Sequence, residues 1–329
     1  MKIKLYILLI ILCAASCSRI RSTAGRRDTL IFLFDTKVTI IAVGENSMQD
    51  SAFKIITTEL MVYDSLFGPE NKFLQSSFLD SISIEVWTEA EKYYRLTGHA
   101  YDPTLKPALD LWGDFSSGNI TPPDSHTLDF LIQQRSQEFP YIHHDQLILT
   151  PGREPDLGGI AKGMAVQSSL DKISSLGLTG VLIEAGGDIY ACGSKENNES
   201  WKIGIQHPRD INQLIAILSI RDKSVCTSGD YHRYSVIDGI RYHHILDPQT
   251  LEPSRGIISA TVISDHAGQA DALATAFMIM EPDQSNELAN DLQIGYLLVI
   301  EKDHTMVFQC NAKFLEYCDT ILVDCRLAD

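Results

Sequence analysis

The 329-residue sequence contains no Cys-x-x-Cys pair, no dense run of lysine and arginine after residue 28, no internal repeat and no low-complexity stretch. Each absence removes a class of protein. Without cysteines at metal-ligand spacing, a zinc module or a thioredoxin-like redox centre is not expected. Without a basic run, and with a formal net charge of -16 and a pI near 5.0, the surface repels phosphate backbones, so no nucleic acid is expected as a partner. What is present is ordinary globular composition, 44% hydrophobic and 21% charged, in a chain long enough for one large domain or two intimate lobes.

The N-terminus carries an export pattern. Lys2 and Lys4 precede an apolar run from Leu5 to Leu12 that is too short to span a bilayer. Ala14, Ala15 and Ser16 before Cys17 resemble a bacterial lipobox, in which residues 1–17 end on a lipidated cysteine. An ordinary signal peptide with an incidental cysteine is the alternative. Residues 18–28 read as a tether and 29–329 as the folded domain. The expected location is the bacterial cell envelope, lipid-anchored through Cys17 and facing the periplasm. Five cysteines remain once Cys13 and Cys17 are set aside, and at most a bridge among Cys310, Cys318 and Cys325 is expected.

Hydrophobic spacing predicts a strand over Leu30 to Val43 and helices over Ser51 to Phe67, Ser83 to Thr97 and Asp124 to Gln134. Prolines 103, 107, 122 and 123 mark an irregular stretch between the last two helices. Further on, strands are predicted at Gln146 to Leu149, Gly180 to Glu184, Trp201 to Gln206, Ile215 to Ile220, Tyr234 to Ile237 and Ile257 to Ser264. Helices are predicted at Gly163 to Leu176 and Ala270 to Met280, with a closing hairpin over Ile294 to Gln309. This order gives α+β rather than a βαβ series.

Short polar and glycine-rich blocks lie between these elements. Asp156 to Gly163 places two glycines before a helix start, where backbone, helix dipole and Lys162 suit a diphosphate; a plain glycine turn fits equally well. Gly186-Gly-Asp188 follows a strand and reads as a close backbone approach or a tight turn. Thr227 to Tyr231 and His243 to Pro248 flank a hairpin at Asp238-Gly239, which returns a hydroxyl, carboxylates and the His244 imidazole to one end of a sheet. His244 has the titration range of an acid or base, and a structural hydrogen bond is its bland alternative. Asp271 and Thr275 stand at i and i+4 of a helix, so their oxygens share a face. That is a hard-oxygen pair suited to Mg²⁺, or simply an N-terminal Asp with a buried Thr.

Together and in order these blocks resemble the ApbE family of flavin transferases. The matching stretches are Ala100 to Thr104 with Leu111-Trp-Gly113, Asp156 to Gly163, Gly186 to Asp188, Trp201 with Gly204, Thr227 to Tyr231, His244 to Pro248, and Ala270 to Thr275. The resemblance implies a T-fold-like α+β body of two lobes with FAD, the substrate, in the cleft between them. It implies Mg²⁺ on Asp271, Thr275 and the Gly159 carbonyl. Contacts to FAD would come from Phe34, Ala100, Tyr101, Asp102, Asp156, Lys162 and Ile245, with His244 and Asp230 at the chemistry.

The implied reaction is attack by a Thr or Ser hydroxyl of an acceptor protein on the FMN phosphorus of FAD, with release of AMP. The implied acceptors are exported or membrane redox subunits, of the Na⁺-pumping NADH:quinone or Rnf-type complexes. Two departures stand out. Phe34-Asp-Thr36 occupies the place of a Met-Gly-Thr, and Phe34 still offers a flat apolar contact. Asn71 stands where a tyrosine that stacks on the flavin is often found, which keeps an FAD diphosphatase as the alternative activity. A non-catalytic flavin-binding lipoprotein is the third reading.

Overall fold

The structure, a computed structural model, describes residues 25–68, 72–74, 78–115, 117–303 and 305–328. The signal, the lipobox and Asn71 lie outside the described residues. Nine strands form the main sheet, in the order Gly25–Leu33, Thr36–Gly44, Gly180–Ala185, Asp188–Gly193, Lys223–Gly229, Ile257–Ser264, Gly295–Lys302, Thr305–Cys310 and Cys325–Leu327. All neighbours are antiparallel except the last pair.

The two faces of this sheet bury different layers. On one, Val38, Ile40 and Ala42 alternate inward from Thr36–Gly44 and meet the helices Asn46–Phe67, Ser81–Leu96, Ala161–Ile173 and Ala267–Phe277. Ala52, Ile56, Leu60 and Tyr63 are the buried stripe of the first of these helices, at the three- and four-residue spacing an amphipathic helix requires. On the other face, Trp201, Ile203 and Ile205 alternate with Lys202, Gly204 and Gln206, and their buried side chains close a second core with Leu182, Val225 and Leu297. The three-stranded sheet that carries them also contains Asp210–Ile220 and Cys318–Ile321. Because Ile257–Ser264 lies between both layers, every residue in it is buried.

A smaller lobe has its own apolar cluster, built on Leu105, Ala108, Trp112, Leu128, Leu246 and Leu251. Trp112 Nε1 donates to the Leu251 carbonyl at 2.8 Å, joining segments far apart in sequence. A buried ion cluster fixes this lobe beside the helices. Asp102 Oδ2 accepts from Arg135 at 2.5 Å and Arg153 at 3.0 Å, while Oδ1 accepts from the Thr104 amide at 2.9 Å. Arg135 also donates to the Pro248 carbonyl at 2.8 Å.

The single strand expected over Leu30 to Val43 is instead a hairpin, broken at Phe34-Asp35, where both residues have φ 55°. A two-residue turn of this hand normally signals itself with Asn-Gly or Asp-Gly. Here long-range contacts hold it: the Phe34 amide donates to Asp64 Oδ1 at 2.6 Å, and the ring is buried. The helix predicted from Ala270 begins three residues earlier, at Ala267, and ends at Phe277. Pro282–Asp291, Lys106–Trp112 and the strand Asp188–Gly193 were not anticipated. The α+β class stands.

The helices Ala161–Ile173 and Ala267–Phe277 cross at glycine. A Cβ on Gly163 would lie 2.4 Å from the Ala267 carbonyl oxygen and 2.9 Å from Gly268 Cα. Gly163→Ala is therefore expected to force the helices apart and to lower stability by about 1–3 kcal/mol, measured by urea denaturation. An unchanged midpoint would show that the crossing tolerates a methyl group. Asp102→Asn leaves two buried guanidinium groups without their counter-charge, and is expected to cost roughly 3–5 kcal/mol in the same assay.

Candidate active site

Two tight turns set the rim of the cleft. Phe34-Asp35 ends one hairpin of the main sheet, and Gly186-Gly187, at φ 63° and 101°, ends the next. They lie at the same end of the sheet. A side chain at 186 would meet Thr36 Oγ1 at 2.7 Å, so the glycine is required both for its left-handed backbone and for its closeness to the neighbouring strand.

Between this sheet end, the smaller lobe, the N-terminus of the helix Ala161–Ile173 and the Asp271–Thr275 side of the helix Ala267–Phe277 lies a cleft of about 860 Å³. Of the residues expected at the site, Phe34, Ala100, Tyr101, Asp102, Asp156, Gly159, Lys162, His244, Ile245, Asp271 and Thr275 all line it. Residues as far apart in sequence as Phe34 and Thr275 thus converge on one volume, large enough for a dinucleotide.

The floor is electrostatic. Lys162 Nζ lies 3.0 Å from Asp188 Oδ2 and 3.6 Å from Asp271 Oδ2, and it donates to the Gly158 carbonyl at 3.1 Å. Asp271 Oδ2 also accepts the Gly163 amide at 3.1 Å, satisfying a donor in the first turn of the neighbouring helix. Burial, and then the Asp188 carboxylate, push the Asp271 carboxyl up to about 7, against the opposing pull of Lys162 and the Gly163 amide. Burial works against the Lys162 ammonium, but Asp188 and Asp271 outweigh it and raise its pKa.

One helical turn beyond Asp271, Thr275 Oγ1 lies 3.3 Å from Ser228 Oγ and 3.2 Å from where a Cβ on Gly159 would stand. The missing side chain at Gly159 thus lets the loop backbone come up to the Thr275 hydroxyl, and Asp271 lines the same cleft. Among the described residues no cluster of three or more His, Cys, Asp or Glu is poised for a metal. A hard cation would instead take one carboxylate, one hydroxyl and a carbonyl, and this donor set fits magnesium. The fit is also electrostatic, because two carboxylates face a single ammonium.

The two adjacent histidines have separate surroundings. His243 is buried, with Nε2 2.9 Å from the Ser254 carbonyl and Nδ1 accepting the Ile245 amide at 3.3 Å, so it is a neutral structural group. His244 lines the cleft and places Nδ1 3.3 Å from the Arg233 carbonyl. A carbonyl can only accept, so Nδ1 carries the proton and Nε2 is left as the base. Enclosure by protein, then the charge of Arg233, hold the His244 pKa well below its ordinary value.

Asp230 is not among the lining residues. Both its oxygens are engaged at 2.6 Å by the Arg209 guanidinium. Asp230 lies just past the end of the strand Lys223–Gly229, where its amide donates to the Ile258 carbonyl at 3.0 Å, whereas Ser228 lines the cleft. Asp102 reaches the cleft, but its carboxylate is saturated by Arg135, Arg153 and Thr104. Among the lining residues given no role from sequence are Asp188, His232 and Arg233. The Gly-Gly turn before Asp188 was the available signal. Nothing local marks His232 or Arg233.

The comparisons agree with this geometry. The model of the ApbE family matches residues 68–298, well over half of the chain. A Vibrio cholerae protein named FAD:protein FMN transferase is 32% identical over 228 residues, 67% of either chain. One of the same name from Haemophilus influenzae is 24% identical over 318 residues, 91% of this chain and 90% of its own. Among solved structures, the ApbE protein of Thermotoga maritima superposes with a TM-score of 0.80 at 27% identity, over 89% of this chain and 99% of that one. The flavin transferase ApbE from Vibrio cholerae gives 0.77 at 26% identity, with the same coverage. Because the family model matches most of its length, the chain belongs to the ApbE family.

Proposed function

We propose that the chain is a Mg²⁺-dependent FAD:protein FMN transferase, which splits the diphosphate of FAD, releases AMP and leaves FMN in phosphoester linkage on a Thr or Ser of an acceptor protein. The observation that carries this reading is the convergence of Asp271, Thr275, Gly159 and Lys162 on the floor of a cleft sized for a dinucleotide. Family membership supports it, because the relatives are named for that activity.

Asp271 and Thr275, with the Gly159 carbonyl, would hold Mg²⁺, which when bound supplies Lewis-acid neutralisation of the diphosphate oxygens. Lys162 is fixed by Asp188 and Gly158, so its charge is in place before substrate arrives. Gly158 and Gly159 line the same region just ahead of the helix at Ala161, whose N-terminus suits an anion. His244 Nε2 would accept the proton of the incoming hydroxyl, and its depressed pKa keeps it in the basic form at neutral pH. Phe34, Tyr101 and Ile245 supply the apolar walls for the flavin.

Export and lipidation at Cys17, and a periplasm-facing acceptor among membrane redox subunits of the Na⁺-pumping NADH:quinone or Rnf type, belong to the same proposal. The mass of the mature N-terminal peptide tests the anchor. A cleaved, unmodified terminus elsewhere overturns it.

Activity is tested by incubating the protein with FAD, Mg²⁺ and a candidate acceptor, then measuring AMP and protein-bound flavin fluorescence on a denaturing gel. Flavin on the acceptor and matching AMP are expected, with both lost on chelation of the metal. His244→Ala should slow transfer by roughly 10²–10⁴-fold while FAD binding is retained. Asp271→Asn should reduce turnover at least as far and abolish its dependence on Mg²⁺. Equal AMP with and without acceptor would make the protein a diphosphatase, and no AMP under either condition would leave flavin binding alone.

A further inference from the structure

Far from the cleft, the last strand of the main sheet is its weakest. Cys325–Leu327 has three residues, pairs on one side only, and runs parallel to Phe308–Cys310. Two thiols meet there: Cys325 Sγ lies 3.4 Å from Cys310 Sγ. Cys310 is 1% exposed, whereas Cys325 is part-exposed and open to reagents. Two of the three remaining described cysteines have polar neighbours of their own. Cys318 Sγ lies 3.3 Å from the Thr320 carbonyl and 3.8 Å from that of Ile217, and Cys226 Sγ is 3.4 Å from Ser224 Oγ.

We infer that Cys310 and Cys325 are an oxidation site that closes to a disulfide, stapling the C-terminal strand to the sheet. The two sulfurs are already in van der Waals contact, and the short terminal strand has few bonds to resist the small approach that closure needs. The chemistry follows from accessibility. With a small disulfide such as oxidised glutathione, the Cys325 thiolate attacks one sulfur and releases a first glutathione thiol. Cys310 then attacks the Cys325 sulfur and expels the second. Two electrons and two protons end on the two glutathione thiols, and one S–S bond replaces another.

The bridge would enclose residues 311–324, the segment that carries Cys318–Ile321 across to pair with Asp210–Ile220. One covalent bond would thus restrain both the edge of the large sheet and the outer strand of the small one. Of the bridges open to the three C-terminal cysteines, the geometry selects this pair and leaves Cys318 as a thiol.

The full chain is equilibrated with oxidised or reduced glutathione, unfolded in an alkylating reagent and mapped by peptide mass. Oxidation is expected to remove two alkylatable thiols and to join the Cys310 and Cys325 peptides, in wild type and in Cys318→Ser alike. The oxidised protein should melt roughly 5 °C or more above the reduced one, a difference absent in Cys325→Ser and Cys310→Ser. A bridge to Cys318, a glutathione adduct that persists on Cys325, or full alkylation after oxidation would each overturn the assignment.

Discussion

The contact on which the site depends is the crossing of two helices at Gly163 and Gly268. Side chains at these positions would collide with the opposing backbone or with Met164, so the helices approach as closely as backbone allows. That closeness lets Asp271, on one helix, take the Gly163 amide in the first turn of the other. Lys162, one residue earlier, is thereby brought to the same carboxylate. A wider crossing would leave an orphan amide, an unpaired buried acid and a lysine free to swing into solvent. Packing and charge are thus one constraint: the glycine makes the distance, and the distance makes the ion pair.

The sheet contributes the opposite wall by similar economy. Two neighbouring hairpins place their turns at one end, and the second presents Asp188 to Lys162. The smaller lobe is held by Asp102, whose carboxylate is shared between two guanidinium groups drawn from separate loops. Its arginines lie 33 and 51 residues away in sequence. The lobe's position over the cleft therefore rests on a few long-range polar contacts and one indole hydrogen bond, in addition to its apolar cluster.

What could be read from sequence was whatever repeats locally. The i, i+4 spacing of Asp271 and Thr275 needs only the helical period, and Ile257–Ser264 was found to the residue because it is a run of β-branched and small residues. The ordered glycine-rich blocks were legible as a family resemblance, and all but Asp230 of the residues taken from them border the cleft. Features set by distant partners were not legible. The Phe34-Asp35 turn contains no glycine and is held by Asp64, so apolar residues on both sides masked the break. Asp102 was expected as a substrate contact, but its charge is spent on Arg135 and Arg153, which no local pattern connects to it. Asp230 follows a cleft-facing stretch in sequence, yet it lies just past the strand end and both its oxygens are taken by Arg209.

The charge balance of the floor explains why a cation belongs to the proposed chemistry. Asp188 and Asp271 bring two negative charges to one ammonium, so the protein itself is deficient in positive charge where a diphosphate would have to sit. The elevated Asp271 pKa is the direct sign of that deficit, because burial and like charge favour its neutral form. A dianionic diphosphate placed there with Lys162 alone would deepen the deficit in a poorly screened environment. A divalent ion on Asp271 and Thr275 reverses the sign locally and lets both acids remain charged. The acidic residues near the nucleotide are then the means of recruiting the positive charge that cleavage requires, and the family's flavin transfer and this chain's acidic cleft become consistent with each other.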